Sequence, residues 1–166
     1  MESNYREYST IDKSSWGPGP WQDEKDKAQW IDPETGLDCL IVRSPGGGNL
    51  CGYVGVPDTH PLYGKDYNDI DVNAHGGLTF SAKCAETSDE SRFICHVPAP
   101  GRPDHVWWFG FDCAHSWDVS PAYASRYGGV FSSGDDQSYK TWNYVRNEIH
   151  GLAQQLAAFS MEKVNG

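Results

Sequence analysis

The chain has 166 residues, with 13 Lys and Arg against 23 Asp and Glu, a formal charge of −10. That length suits one hydrophobic core, and that charge repels phosphate backbones, which disfavours a nucleic-acid partner. No stretch approaches the roughly 20 consecutive apolar residues of a membrane span.

Met1 to Ser15 is polar and aperiodic, and no apolar run follows it, so residues 1–15 read as a flexible or surface-draped arm without a signal peptide. Trp16-Gly-Pro-Gly-Pro-Trp21 comes next. Two prolines between glycines forbid a helix, and the flanking tryptophans are expected to anchor an extended strap. Asp32-Pro-Glu-Thr-Gly36 is a turn signal. Leu37 to Arg43 and Leu50 to Val56 alternate as strands, joined through Gly46-Gly-Gly48. That loop is too long for a two-residue primed turn, so it does not fix the register. A symmetric hairpin about Gly46 and Gly47 would set Cys39 beside Val54 and Cys51 beside Val42, which argues against a bridge between the two cysteines. The glycine run lacks the Lys-Ser/Thr and the helix of a phosphate loop.

Asp58 to Asp71 reads as a loop whose acidic residues lack calcium-loop spacing. His75-Gly-Gly-Leu-Thr-Phe80 leads into a short strand through Ser81, and Arg92 to Val97 is a further strand candidate carrying Cys95. Val106 to Phe111 is the most apolar run and the best central strand. It places His105, Trp107, Phe109 and Phe111 on one side and Val106, Trp108, Gly110 and Asp112 on the other. Cys113 to Gln137 has no period and reads as a long loop. From Ser138 to Phe159, the positions of Trp142, Val145, Ile149, Leu152, Leu156 and Phe159 form one helical apolar stripe, capped by Ser138 or Asp136. Packing on the sheet is the expected use of that stripe, a homo-oligomer contact the alternative.

The pattern predicts an α+β fold: a single domain over residues 16–160 with a short tail at 161–166. Its mostly antiparallel or mixed sheet of about five strands packs against a long C-terminal amphipathic helix, with the strap and the long loop on the opposite face.

Five cysteines at 39, 51, 84, 95 and 113 give an odd count without Cys-x-x-Cys spacing. They read as reduced, in a cytoplasmic setting, with Cys39 and Cys51 as buried small hydrophobes. Three patches carry candidate chemistry. His75 precedes Gly76 and Gly77, which permit positive φ and expose backbone N–H groups to a ligand. Asp112, Cys113, His115 and Asp118 follow the strongest strand. An imidazole between carboxylates serves as a divalent-metal ligand set or as an acid–base pair, with His75 or His60 as a further ligand. Cys113 is a possible nucleophile, although nearby carboxylates oppose its ionisation. His60, Tyr63 and Lys65 offer a third, cationic patch for a ligand. The structural alternatives are a turn with a surface histidine, a hydrogen-bond network tying the loop to the sheet, and a solvated lysine.

Asp32-Pro-Glu-Thr-Gly-Leu37, Leu50-Cys-Gly-Tyr-Val-Gly-Val-Pro57, His60-Pro-Leu-Tyr-Gly64, His75-Gly-Gly-Leu-Thr79 and Trp107-Trp-Phe-Gly-Phe-Asp-Cys-Ala-His115 with Asp118 span nearly the whole chain. Through them it resembles a family of small uncharacterised proteins from bacteria and bacteriophages. The resemblance implies an intracellular bacterial or phage-encoded protein that acts on host machinery. It carries over no catalytic residue and no cofactor. Two functions follow as expectations. One is a small hydrolase, metal-assisted or acid–base, acting on a small polar molecule. The other is a non-enzymatic binder of a host protein or small nucleotide.

Overall fold

The hairpin that the glycine run announces forms between β3 (Asp38–Arg43) and β4 (Leu50–Pro57), and its register pairs Cys39 with Val54 and Val42 with Cys51. The computed structural model describes residues 3–84, 91, 93–102, 105–115, 117–124 and 138–165. Around the hairpin, β2 (Lys27–Ile31) joins β3, and β1 (Ser3–Tyr8) joins β2. On the other side β6 (Val106–Asp112) pairs with β4, and β5 (Phe80–Lys83) pairs with β6. The result is one antiparallel sheet of six strands in the order β1-β2-β3-β4-β6-β5. The expected strand over 92–97 is absent from its described residues, 93–97. Instead Ser3–Tyr8, expected as part of a flexible arm, is one of the two edge strands.

One face of the sheet carries the main core. A short helix α1 (Pro121–Ala124) precedes the long α2 (Trp142–Asn165), which lies across β4 and β3. Val145, Ile149, Leu152 and Leu156 of the stripe are fully buried against Ile41, Val54, Phe109 and Phe111. Each such side chain contributes roughly 1.5–3 kcal/mol on burial. Gly52 of β4 allows this close approach, because a Cβ there would lie 2.7 Å from Ile149 and 2.5 Å from Phe111. The helix begins later than the sequence suggested. Thr141, not Ser138, is its cap, accepting the Tyr144 N–H at Oγ1, and the Glu24 carboxylate accepts the Trp142 N–H. Asp136 lies outside the described residues.

The opposite face holds a smaller core of Leu40, Tyr53, Val106 and Trp108. The segment around 93–97 is tied to this side by buried polar groups rather than by a strand ladder. Lys27 Nζ donates to the carbonyls of Phe93 and Cys95, and Gln29 exchanges hydrogen bonds with Val97 through both ends of its amide. Cys84 and Cys95 form a disulfide, which corrects the expectation of five reduced cysteines; Cys39, Cys51 and Cys113 are free.

The tryptophans of the strap anchor it as expected, Trp16 and Trp21 being buried and Trp21 meeting the Tyr139 ring edge-on. The strap is not extended throughout, however: short 3-10 turns at Ser14–Trp16 and Pro20–Asp23 carry the two indoles, Pro20 being tolerated at the first helical position. Beneath it Arg43 is saturated. Its Nε donates to Asp26, Nη1 to the Gly48 carbonyl and the Tyr139 hydroxyl, and Nη2 to Glu24 and the Lys25 carbonyl. That guanidinium joins β3, the strap, the hairpin loop and the approach to α2. No helix among the described residues is long and apolar enough to cross a membrane.

Candidate functional site

Residues 74–77 form a tight turn closed by the Gly77 N–H on the Ala74 carbonyl, 2.9 Å. Gly76 and Gly77 sit at φ 69° and 84°, which a Cβ would strain. The turn presents His75 inward, and the chain after β6 brings up the second half of the site. Asp118 folds back on itself, its N–H donating to the His115 carbonyl. Parallel bridging of Asp118 with Ser138 then fixes this segment beside the approach to α2. The described part of the 113–137 loop therefore lies next to the N-terminal end of the helix, not on the face opposite it.

Asp118 is the hub. His75 Nε2–H donates to both of its oxygens at 2.9 Å, and the His115 Nδ1–H and backbone N–H donate to Oδ2 at 2.9 and 3.1 Å. Lys140 Nζ stands 3.1 Å from Oδ1. Burial alone would raise the Asp118 carboxyl, but the bonds from His75, His115 and Lys140 outweigh it and hold the group below the usual carboxylate range. The site thus contains a buried, ionised carboxylate facing two imidazoles.

Each imidazole is braced on its far side. His75 Nδ1 is 2.8 Å from the Tyr144 hydroxyl, and His115 Nε2 is 3.7 Å from Asp112 Oδ1. Asp112 is itself fixed by Thr79 and by the Ala114 N–H. Trp117 stacks flat on the His115 ring at 4.7 Å and is 43% exposed, so the cluster reaches the surface beneath an indole. The ligand atoms of His75, His115 and Asp118 lie within 4.8 Å of one another, close enough for one metal ion. A second group, Cys84, Cys95 and His96, meets the same measure.

The structure thus brings together His75, His115 and Asp118, with Asp112 at their edge. The glycines have a different use from that expected. The Gly77 N–H is spent in the turn, and Gly76 leaves room for the His115 ring. Cys113 is buried among carboxylates. Burial first, then Asp118, Cys51 and Asp112, push its thiol up, which disfavours the thiolate that a nucleophile needs.

The third patch does not join the site. His60 is buried, donating from Nε2 to the Leu156 carbonyl and accepting the Leu62 N–H at Nδ1. Both ring nitrogens serve to tie the loop to α2, so neither is available as a ligand atom. Tyr63 packs on the core beside Trp107, and Lys65 contributes its carbonyl to the Trp107 indole. A cleft of about 520 Å³ lined by Glu34, Thr35, His60 and Gln154 shares no residue with the His75 cluster.

Tyr144 and Lys140 were invisible to pattern reading. Tyr144 is on the helix but off the apolar stripe, and Lys140 stands just before it. No family model, curated protein or solved structure matches the chain.

Proposed function

We propose that the protein is a small metal-dependent hydrolase whose ion is held by His75 Nε2, His115 Nδ1 and an Asp118 oxygen. The observation that carries the reading is the convergence of these three ligand atoms within 4.8 Å. Three protein ligands leave a coordination position for water, the arrangement of catalytic rather than structural zinc sites. The ion would lower the pKa of that water and polarise a substrate oxygen.

The outer contacts support the same reading. To ligate through Nε2, His75 must carry its proton on Nδ1, where the Tyr144 oxygen is ready to accept it. To ligate through Nδ1, His115 must carry its proton on Nε2, which faces Asp112. Such outer partners orient metal-bound histidines and set their tautomers. Lys140 places a positive charge beside Asp118, suited to an anionic group on a small polar substrate.

The test is direct. Chelator-treated protein with its disulfide intact is incubated with zinc, manganese or nickel, dialysed and analysed for metal. One equivalent is expected, lost in H75A, H115A and D118A, together with metal-dependent cleavage in a panel of activated carboxylic and phosphoric esters. Metal content unchanged by H115A would overturn the assignment of the ligands. Binding without hydrolysis would favour a second reading, a binder whose exposed Trp117 and Tyr144 grip a ligand or a host protein.

A further inference from the structure

The disulfide lies in surroundings that a purely structural cross-link does not need. His96 Nδ1 is 4.0 Å from Cys84 Sγ, and the ligand atoms of Cys84, Cys95 and His96 share a span of 4.8 Å. His96 is buried, its ring set edge-on to Trp108 at 5.2 Å. Behind it Nε2 faces Asp38 Oδ2 at 3.7 Å, and Asp38 is held in turn by Arg102. That carboxylate is on the side where a metal-ligating histidine has its outer partner. At 3.7 Å it is too far to accept a hydrogen bond from the ring, but its negative charge favours a proton on Nε2 and a lone pair on Nδ1, toward the sulfurs. Trp108 Nε1–H points at Cys84 Sγ at 3.4 Å, a donor suited to a thiolate. The Lys27 ammonium holds the Cys95 carbonyl at 2.8 Å and brings positive charge to the same corner.

We propose that Cys84, Cys95 and His96 form a redox-gated site for a thiophilic divalent cation of the zinc class, separate from the His75 cluster. In the oxidised chain the sulfurs are bonded to each other and the site is closed to metal. An external dithiol opens it by exchange: the disulfide takes two electrons and two protons, and the dithiol becomes the cyclic disulfide. Zinc then displaces one proton from each thiol and binds two thiolates and the His96 Nδ1, releasing two protons in all. A peroxide reverses the gate. The two thiolates give up two electrons, the disulfide reforms, the cation leaves, and the peroxide, as hydrogen peroxide, accepts those electrons with two protons to become two molecules of water. Two sulfurs and one imidazole suit zinc better than magnesium or calcium, which prefer oxygen ligands.

The experiment compares the full chain, oxidised and phosphine-reduced under anaerobic conditions, each titrated with cobalt and then zinc. The reduced chain should take up one metal equivalent more than the oxidised chain. Its cobalt form should show thiolate-to-cobalt charge transfer, which a His75, His115 and Asp118 site has no sulfur to produce. C84S and H96A should lose that band, and D38N should weaken cobalt binding by roughly 10- to 100-fold. H75A should leave the band in place, so the two sites fail or stand separately. Equal metal uptake by both redox forms, or cobalt bound to reduced chain without the charge-transfer band, overturns the proposal. The comparison of wild-type redox forms decides the matter even if C84S does not fold.

Discussion

A Cβ placed on Gly76 would stand 2.2 Å from the His115 ring, 39 positions along the chain (115 − 76 = 39). The absence of a side chain at residue 76 is therefore a condition for His115 to reach Asp118. Gly76→Ala should shift the imidazole and add strain at φ 69°, a cost of about 1–3 kcal/mol. The expected result is a folded protein that has lost at least tenfold in metal affinity, read by calorimetric titration with zinc alongside circular dichroism. Unchanged affinity would mean that His115 does not ligate.

Stability should fall in acid through two particular carboxyls. Burial raises Asp26, but bonds from Lys13 and from the Ile11 and Thr10 N–H groups outweigh it, and Asp118 is lowered by its own donors. Both carboxyls bind protons less tightly folded than unfolded. Their contribution is present above the ordinary value of 3.8 and is lost as pH falls through their lower folded values. Urea midpoints followed from neutrality into acid should show this loss, with a shallower acid limb in D26N and D118N. His150 has the opposite sign. Its hydrogen bond to Asp32 raises it against partial burial, so its contribution holds below 6.5 and fades as pH rises through the folded value. H150Q should remove that alkaline decline.

Arg43 should be the most sensitive single position of the scaffold. All five of its N–H donors are used, and its side chain is fully buried beside Asp26. Arg43→Met leaves Asp26 with Lys13 and the Thr10 and Ile11 N–H groups, but it takes a donor from Glu24, from the Tyr139 hydroxyl and from the Gly48 and Lys25 carbonyls, and should cost about 3–5 kcal/mol, measured by urea unfolding. A loss below about 1 kcal/mol would indicate that the guanidinium is dispensable to the strap.

Gly151 offers the reverse. A Cβ there meets nothing within 4 Å and the residue lies inside α2. Gly151→Ala should stabilise by about 1 kcal/mol through helix propensity and lost unfolded-state entropy. Thermal melting checks it, and a decrease in Tm would contradict the open space beside the residue.

The free thiols should resist alkylation while the protein is folded. Burial, then Asp112, push Cys51 up to about 11, and Cys39 and Cys113 are buried. Iodoacetamide near neutrality should leave all three unmodified in native protein and label them after unfolding, as mass spectrometry would show. Rapid native labelling of Cys113 would restore it as a candidate nucleophile.

Patterning alone determined the β3–β4 hairpin, the two faces of β6, and the stripe that seats α2, while the long connecting loop left the hairpin register to the structure. These elements bury apolar side chains with the period of their own backbone, so sequence spacing and contact coincide. It also singled out His75 and the Asp112-to-Asp118 patch, because turn glycines and a strand end are local features. Tertiary structure alone decided that β1 and β2 belong to the sheet. Lys27 and Gln29 point polar groups inward, and only the distant carbonyls at Phe93, Cys95 and Val97 make that burial tolerable. The same holds for the disulfide, for Tyr144 and Lys140 at the site, and for His60, whose bond to Leu156 crosses 96 residues. A hydrogen-bond partner far along the chain leaves no periodic trace, so polar contacts of this kind become legible only when the fold closes.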